Sequence, residues 1–351
     1  MKIIVSNKLE ILARRLADEL KKPLSSALVK EIIIIQSAGM QKWLSLEIAR
    51  RHGICANYDF PFPNAFIDNI FQEFIADYRP DLSDHVDVMA WKVMEILPDM
   101  VADNDFRPVQ NYLGRDFDQL KLFQLACKIA AAFDQYLIYR PEMILSWDEG
   151  RDILPQEKWQ AQLWRRLTAD LGGMHRARLK QLFLSAVKHK PHRQDVLPQR
   201  ISIFGISYLP PYHLEIFYEL SRHLPVDLYY VNPSQEFWAD IKSDREIGMA
   251  VKQATRGAAD FDQQALHLER GNALLATMGG IGRDFFRIVG GLPTENVEIF
   301  DPPRETGLLA MIQADIYNLR DRGGDNAERT RIAANDESIQ IHSCHGMLRE
   351  V

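Results

Sequence analysis

The spacing of apolar positions changes along the chain, and each change marks an element. Residues 2–5 form a short apolar run, after which Leu9, Leu12, Leu16 and Leu20 recur at helical spacing. Asn7 and Glu10 stand three apart, as in a capping box. Ile32, Ile33, Ile34 and Ile35 are four consecutive β-branched residues, which suit a strand covered on both faces. Ser37, Ala38 and Gly39 break that run. Met40, Trp43, Leu44 and Ile48 then return at helical spacing, and Gly53 stands where a C-cap would. Two strand–loop–helix units in tandem predict an α/β fold with a parallel sheet and right-handed crossovers. The loop after such a strand faces the ligand crevice, so residues 36–42 are the first candidate contact with a substrate.

The texture changes at residue 59. Asp59-Phe60-Pro61-Phe62-Pro63 reads as a rigid entry loop, and helical patterns follow at 65–75, 88–97, 117–139, 159–171 and 177–187 with no β-rich run among them. Residues 59–199 are therefore expected to be an all-helical insertion in the α/β domain, which comprises 1–58 and 200–335. The sheet pattern resumes with expected strands at 201–204, 226–231 and 297–300, and with a helix carrying Leu214, Phe217 and Leu220. Residues 318–338 are polar and read as an exposed connection. A new strand is expected at 339–342, so 336–351 read as the start of a following domain. The chain stops at Arg349-Glu350-Val351, where a helix is expected to begin, which suggests a piece of a longer protein.

Composition narrows the function classes. The 351 residues are 46% hydrophobic, enough for a sizeable core, and the net charge is −6 from 42 basic and 48 acidic residues. Any nucleic-acid contact must then be local rather than a basic coat. Three widely separated cysteines, Cys55, Cys127 and Cys344, suggest a reducing, cytoplasmic setting. There is no 18-residue apolar run, so nothing is expected to span a membrane.

Several chemistries can be weighed directly. A phosphate-binding loop needs glycines, a lysine and a hydroxyl in fixed order. The first loop offers Ser6-Asn7-Lys8 and the second only Gly39, so ATP binding of that kind is not expected. Residues 174–194 hold Arg176, Arg178, Lys180, Lys188, Lys190 and Arg193 with three histidines and no acid. That cluster suits phosphate contacts, and equally a helix with a solvated basic face. Phe133, Asp134, Gln135, Tyr136 and Arg140 mix groups that stack on bases and read their edges, although core packing with a polar exterior explains them more simply. His342, Cys344 and His345 lack the second pair that a zinc site needs. Asp103 with Asp105, and Asp116 with Asp118, have no lysine at nuclease-like spacing, and no nucleophile elbow is present.

With Gln36-Ser37-x-Gly39-Met40-x-x-Trp43-Leu44, the sequence resembles the N-terminal part of the RecC family, the gamma chains of exodeoxyribonuclease V. The likeness continues through Ala56-Asn57-x-Asp59-Phe60-Pro61, Trp91-Lys92, Lys121-Leu122-Phe123-Gln124-Leu125 and Phe133-Asp134-Gln135-Tyr136. It recurs at His175-Arg176-Ala177, Gly205-Ile206-Ser207, Gly271-Asn272, Gly282-Arg283-Asp284 and Cys344-His345, in order along the whole chain. The resemblance implies a helicase-like fold of superfamily 1 type without ATPase motifs. It also implies a place in a heterotrimer with RecB and RecD that unwinds and degrades DNA from double-strand breaks. In that complex the gamma chain splits the duplex, guides single strands and scans the 3′-ended strand for a Chi sequence. No cofactor is implied for this chain, since ATP and Mg2+ serve the partner subunits. Of the family's scanning positions, Gln36, Asp134, Arg140 and Arg176 match. Ala38 stands for Thr, Lys42 for Gln, Phe62 for Leu and Asp68 for Trp, and Ala131-Ala132 for an Asp-Leu pair. Exchanging Trp for Asp removes a stacking surface and adds a charge expected to repel phosphate. A changed recognition sequence, or none, is therefore expected, with strand guidance kept. The rivals are an active ATPase and a pure scaffold for partner subunits.

Overall fold

A computed structural model describes residues 1–76, 78, 85–114, 118–151, 154–169, 174–189, 197–255, 271–322 and 330–344. In chain order, β1 (Lys2–Ser6) leads to α1 (Leu9–Leu20), β2 (Glu31–Ile34), α2 (Ala38–His52) and β3 (Tyr58–Asp59). A helical run follows: α3 (Pro63–Phe74), α4 (Val86–Met100), α5 (Arg107–Leu113), α6 (Gln119–Tyr139), α7 (Pro141–Asp148), α8 (Lys158–Thr168) and α9 (Arg176–His189). The chain returns to β4 (Ile201–Phe204), α10 (Pro211–Leu220) and β5 (Val226–Val231). It then adds α11 (Asp244–Thr255), α12 (Ala273–Met278), α13 (Gly280–Gly290), β6 (Glu295–Glu298) and α14 (Leu308–Tyr317).

The six strands form one sheet in the order β3-β2-β4-β5-β1-β6, every pair parallel. The isoleucine run shows why both faces must be covered. Ile33 and Ile35 point to one side, where Leu12, Leu16, Leu44 and Ile48 of α1 and α2 close over them. Ile34 points to the other, where residues of α3, α9, α10 and α13 form the larger core. Alternation at period two divides a continuous apolar strand between two helical layers. Each fully buried aliphatic side chain contributes about 1.5–3 kcal/mol, so these two layers hold the sheet.

The helical run has two affiliations. Helices α4 to α8 enclose their own core around Phe106, Phe133, Trp147 and Trp164. Phe66, Phe71 and Phe74 of α3 and Leu179, Phe183 and Val187 of α9 instead pack on the sheet. Asp148 ties the joint between the two. It accepts from Trp164 Nε1 at 2.9 Å and pairs with the buried His175 at 2.6 Å, just ahead of α9.

Several sequence expectations need correction. Residues 36–42 are not one loop, because Ser37 caps α2 by accepting from Met40 N at 3.2 Å and the helix starts at Ala38. Asn7 does not cap α1; its side chain holds Asp301, accepting from Asp301 N at 2.9 Å and donating to Asp301 O at 2.8 Å. The entry loop overlaps the end of β3 at Asp59, the sixth strand is Glu295–Glu298 rather than 297–300, and 339–342 is irregular. The polar stretch after α14 is stitched to it: Arg322 bonds Asp315 at 2.8 Å and Glu305 at 2.9 Å, and Asp336 accepts from Leu308 N at 2.7 Å.

Candidate functional site

All strands run the same way, so their C-terminal ends share one edge. At that edge β2 and β4 are neighbours, yet β2 hands the chain to α2 on one face and β4 hands it to α10 on the other. Neighbouring loops that part in this way leave a crevice between them, the usual ligand position in an open parallel sheet.

Three segments meet there. Gln36 follows β2, and Ser207 Oγ of the loop after β4 donates to Gln36 Oε1 across a long 3.5 Å. Ile35 N donates to Pro61 O at 3.1 Å, which brings Phe62, 49% exposed at the start of α3, to the same edge. Trp43 of α2 stacks on Phe204 at 6.3 Å between ring centroids. Gly205 adopts φ +62°, and a β-carbon there would come within 3.0 Å of Met40 Cε. That close approach seats α2 on the end of β4 and needs glycine. With Met40 and Trp43 turned inward, Ala38 and Lys42, one helical turn apart, stand exposed on the opposite face of α2. Gln36, Ala38, Lys42 and Phe62 are each exposed to solvent around the C-terminal end of β2, and they form the candidate rim. Ser207 belongs with them. The pattern that singled out 36–42 is repeated at 201–220, and would have identified it.

Arg140 borders this rim. Tyr139, just before it, lies near enough to Tyr208 of the loop after β4 to add to the upward push that burial gives the Tyr208 phenol. Arg140 is exposed, lying 5.7 Å over the Tyr136 ring.

The remaining candidates turn inward. Arg176 pairs with Asp68 at 3.4 Å, the two side chains being 18% and 20% exposed. Burial pushes the carboxyls of Asp68 and Asp134 above the usual aspartate range, and the Arg176 charge opposes this in both. Tyr212 OH donates to Arg176 O at 3.3 Å. Neighbouring His213 sits 2.7 Å from Asn64 Oδ1 through Nε2, and burial, aided by Arg176, lowers its pKa to about 4. The neutral ring must then donate from Nε2 to the amide oxygen. Asp68 is accordingly an internal partner of Arg176 rather than a charge offered to a passing phosphate. This interior cluster was not visible in the sequence because its members come from four helices.

The basic stretch at 174–194 has two of its six cations, Arg176 and Lys180, neutralised by acids among the described residues. Besides Arg176, Lys180 pairs with Glu215 and lies 5.6 Å over the Tyr212 ring, while Arg178 bonds Gln181 at 2.7 Å. Lys188 is exposed; Lys190, His192 and Arg193 lie outside the described residues. At the first loop, where a phosphate cradle would sit, Lys8 is paired with Asp301. Among the described residues no cluster of three or more potential metal ligands occurs, and no helix is long and apolar enough to cross a membrane. His345 lies outside the described residues.

Comparison with known proteins agrees with this geometry. Residues 1–319 match the family model of the RecC N-terminal domain. The chain is 32% identical to the RecBCD enzyme subunit RecC of Escherichia coli (strain K12), an alignment covering 100% of this chain and 34% of that protein. It is 32% identical to the subunit of the same name from Haemophilus influenzae, over 92% of this chain and 33% of that protein. With the Mycolicibacterium smegmatis subunit the identity is 27%, over 97% and 30%. The chain thus spans about a third of the length of the curated relatives it matches. A parallel sheet with helices on both faces, the Gln36-to-Leu44 strand–helix junction and a family model covering nearly the whole chain agree: this chain belongs to the RecC family.

Proposed function

We propose that this chain is the N-terminal part of a non-catalytic subunit of a RecBCD-type helicase/nuclease, acting in double-strand-break repair and recombination. Its sheet serves as a helicase-like framework without a phosphate loop, and its task is to receive and guide a single strand of DNA. RecB and RecD are the expected partners, and they supply the ATP, Mg2+ and nuclease chemistry. The observation that carries the reading is the open rim at the β2–β4 crevice. Around it an amide, a hydroxyl, an aromatic ring and a lysine are each open to solvent, at Gln36, Ser207, Phe62 and Lys42, and Ser207 bonds Gln36. Such a set offers base stacking, edge contacts and a phosphate partner at once. With alanine at 38 and the Asp68–Arg176 pair turned inward, few groups remain to discriminate bases, so guidance dominates and any Chi-like sequence read here differs from the family form.

The test is photocrosslinking of a 3′-ended oligonucleotide to the full-length subunit assembled with its partners. Lys42→Ala and Arg140→Ala, both exposed sites, are expected to lower the yield with assembly intact. Unchanged yields in both variants would sink the strand-guiding role. A second reading, a scaffold that never touches DNA, has one observation in its favour: Arg176 and Lys180 are held by Asp68 and Glu215.

A further inference from the structure

Helix α4 buries Met89, Ala90, Val93 and Leu97 in the core of the helical block and turns its other side outward. On that side Trp91 is 61% exposed, with its ring centroid 5.3 Å from that of Phe123 on α6. Leu120, nearly one turn before Phe123, is also open to solvent. Val88, Trp91, Lys92, Met94 and Glu95 line a shallow cleft of about 520 Å3. Exposed aromatic and aliphatic groups gathered around a cleft mark interaction sites, and tryptophan is the commonest anchor of protein interfaces.

Charge decides what fits. Asp87, Glu95 and Asp99 are all exposed and lie four or eight residues from Trp91, so they share its stripe of the helix. Lys92 is the one cation lining the cleft, and Lys121 nearby is drawn to Tyr112, 5.5 Å above its ring. A nucleic-acid strand would set its phosphates against three carboxylates and two ammonium groups, Lys92 and Lys121. A protein segment carrying arginine or lysine meets the same surface favourably: its cation can lie over the Trp91 ring while reaching Asp87 or Glu95. We infer that the Trp91 face of α4 docks a basic, arginine- or lysine-bearing segment of a partner protein chain. This rests on the subunit reading above. The face is separate from the strand-guiding rim, since Phe123 and Tyr139, the neighbour of Arg140, are about 24 Å apart along α6.

The experiment uses the full-length subunit with the RecB and RecD chains, and a benzophenone amino acid in place of Trp91. Illumination is expected to join it to an arginine- or lysine-bearing peptide of one partner chain. Trp91→Ala is expected to weaken assembly about 30-fold, as loss of an interface anchor does. Asp87→Lys with Glu95→Lys is expected to slow association and remove its salt dependence. Because Trp91 is exposed, unchanged melting of Trp91→Ala serves as the folding control. Crosslinks only to labelled DNA, or only back to the subunit's own chain, overturn the inference, as does assembly of Trp91→Ala at wild-type affinity. Failure of the wild-type chains to assemble would refute the subunit reading itself, a result distinct from an indifferent variant.

Discussion

Replacing Arg176 by alanine separates a strand contact from a structural clamp. Arg176 lies between two acids whose carboxyls burial already raises. An exposed ion pair contributes less than about 1 kcal/mol, whereas removing one partner of a fully buried pair costs about 3–5 kcal/mol. With side chains 18% and 20% exposed, the Asp68–Arg176 pair falls between these limits, and Arg176→Ala should cost about 2–3 kcal/mol at neutral pH. The pH dependence has a definite sign. A carboxyl whose folded pKa exceeds its unfolded value weakens the fold as pH rises through the interval between them, because burial disfavours the ionised form. Losing Arg176 raises both folded values further, so the penalty is largest at pH 7. It should shrink towards the packing loss alone as pH falls towards about 4, near the unfolded aspartate value. Asp68→Asn is expected to cost less than Arg176→Ala, since the amide keeps a hydrogen bond to Arg176 and Asp134 still faces the guanidinium, but more than a surface change because one of its two acids is lost. Urea unfolding of the full-length subunit at pH 7 and pH 4.5 measures all three quantities. If Arg176→Ala were as stable as wild type at pH 7 within about 0.5 kcal/mol, the usual scatter for a surface change, while losing DNA crosslinks, the clamp argument would fail.

Two other ion pairs lead to separate expectations. Arg200 grips Glu31 through two hydrogen bonds of 2.8 and 2.7 Å and also donates to the Lys22 carbonyl at 2.9 Å, at the sheet edge away from the crevice. Arg200→Ala should cost about 3–5 kcal/mol in urea unfolding, as for a buried pair, and leave DNA crosslinking per folded molecule unchanged. Glu246 joins Arg283 at 2.6 Å and accepts from Ser243 N at 2.8 Å, which hold its pKa down at about 2. A depressed carboxylate stabilises above its unfolded value and loses that contribution as pH falls through the folded one. Hydrogen-exchange protection in α11 and α13, corrected for the intrinsic rate at each pH, should therefore fall between about pH 4.5 and 2. Glu246→Gln should show the lower protection already at pH 7.

What could be read from the sequence was whatever local pattern decides. The isoleucine run, the Met40-to-Ile48 spacing and Gly53 together located β2 and α2, and Gly53 does take φ +82° as the C-cap. Ser37 was legible too, but as a breaker rather than as the cap it is, which shifted the start of α2. Strand β3 was not legible, because two residues carry no period. It exists through its register with Glu31 and Ile32. Helix α13 was hidden by its glycines, although Phe285 and Val289 anchor it under the sheet. At the site, the rim residues follow from loops after strands, a rule that sequence can apply. The fate of Arg176 does not, since its partner Asp68 is 108 positions away. A basic segment and a basic surface are different things, and only the tertiary partners of α9 tell them apart.

That distinction bears on how a strand would be held. A single strand loses affinity with salt at a logarithmic slope of about 0.7 for each phosphate neutralised. Had all six cations of 174–194 met phosphates, fourfold more salt would weaken binding by some 300-fold on that slope. Lys42 and Arg140 are the exposed cations at the rim, and the same increase acting on two phosphates changes affinity only about sevenfold. Under the proposed role, a grip this light would suit a strand that keeps moving under a motor supplied by other chains. Tight phosphate binding would act as a brake, and base-edge contacts worth about 1–3 kcal/mol each would arrest it at chosen sequences. With alanine at 38 and Asp68 turned to Arg176, two such points of arrest are absent. The acids that enclose Arg176 hold α3 and α9 together on the sheet, and under the proposed strand-guiding role they would also withdraw a cation from the path of the strand.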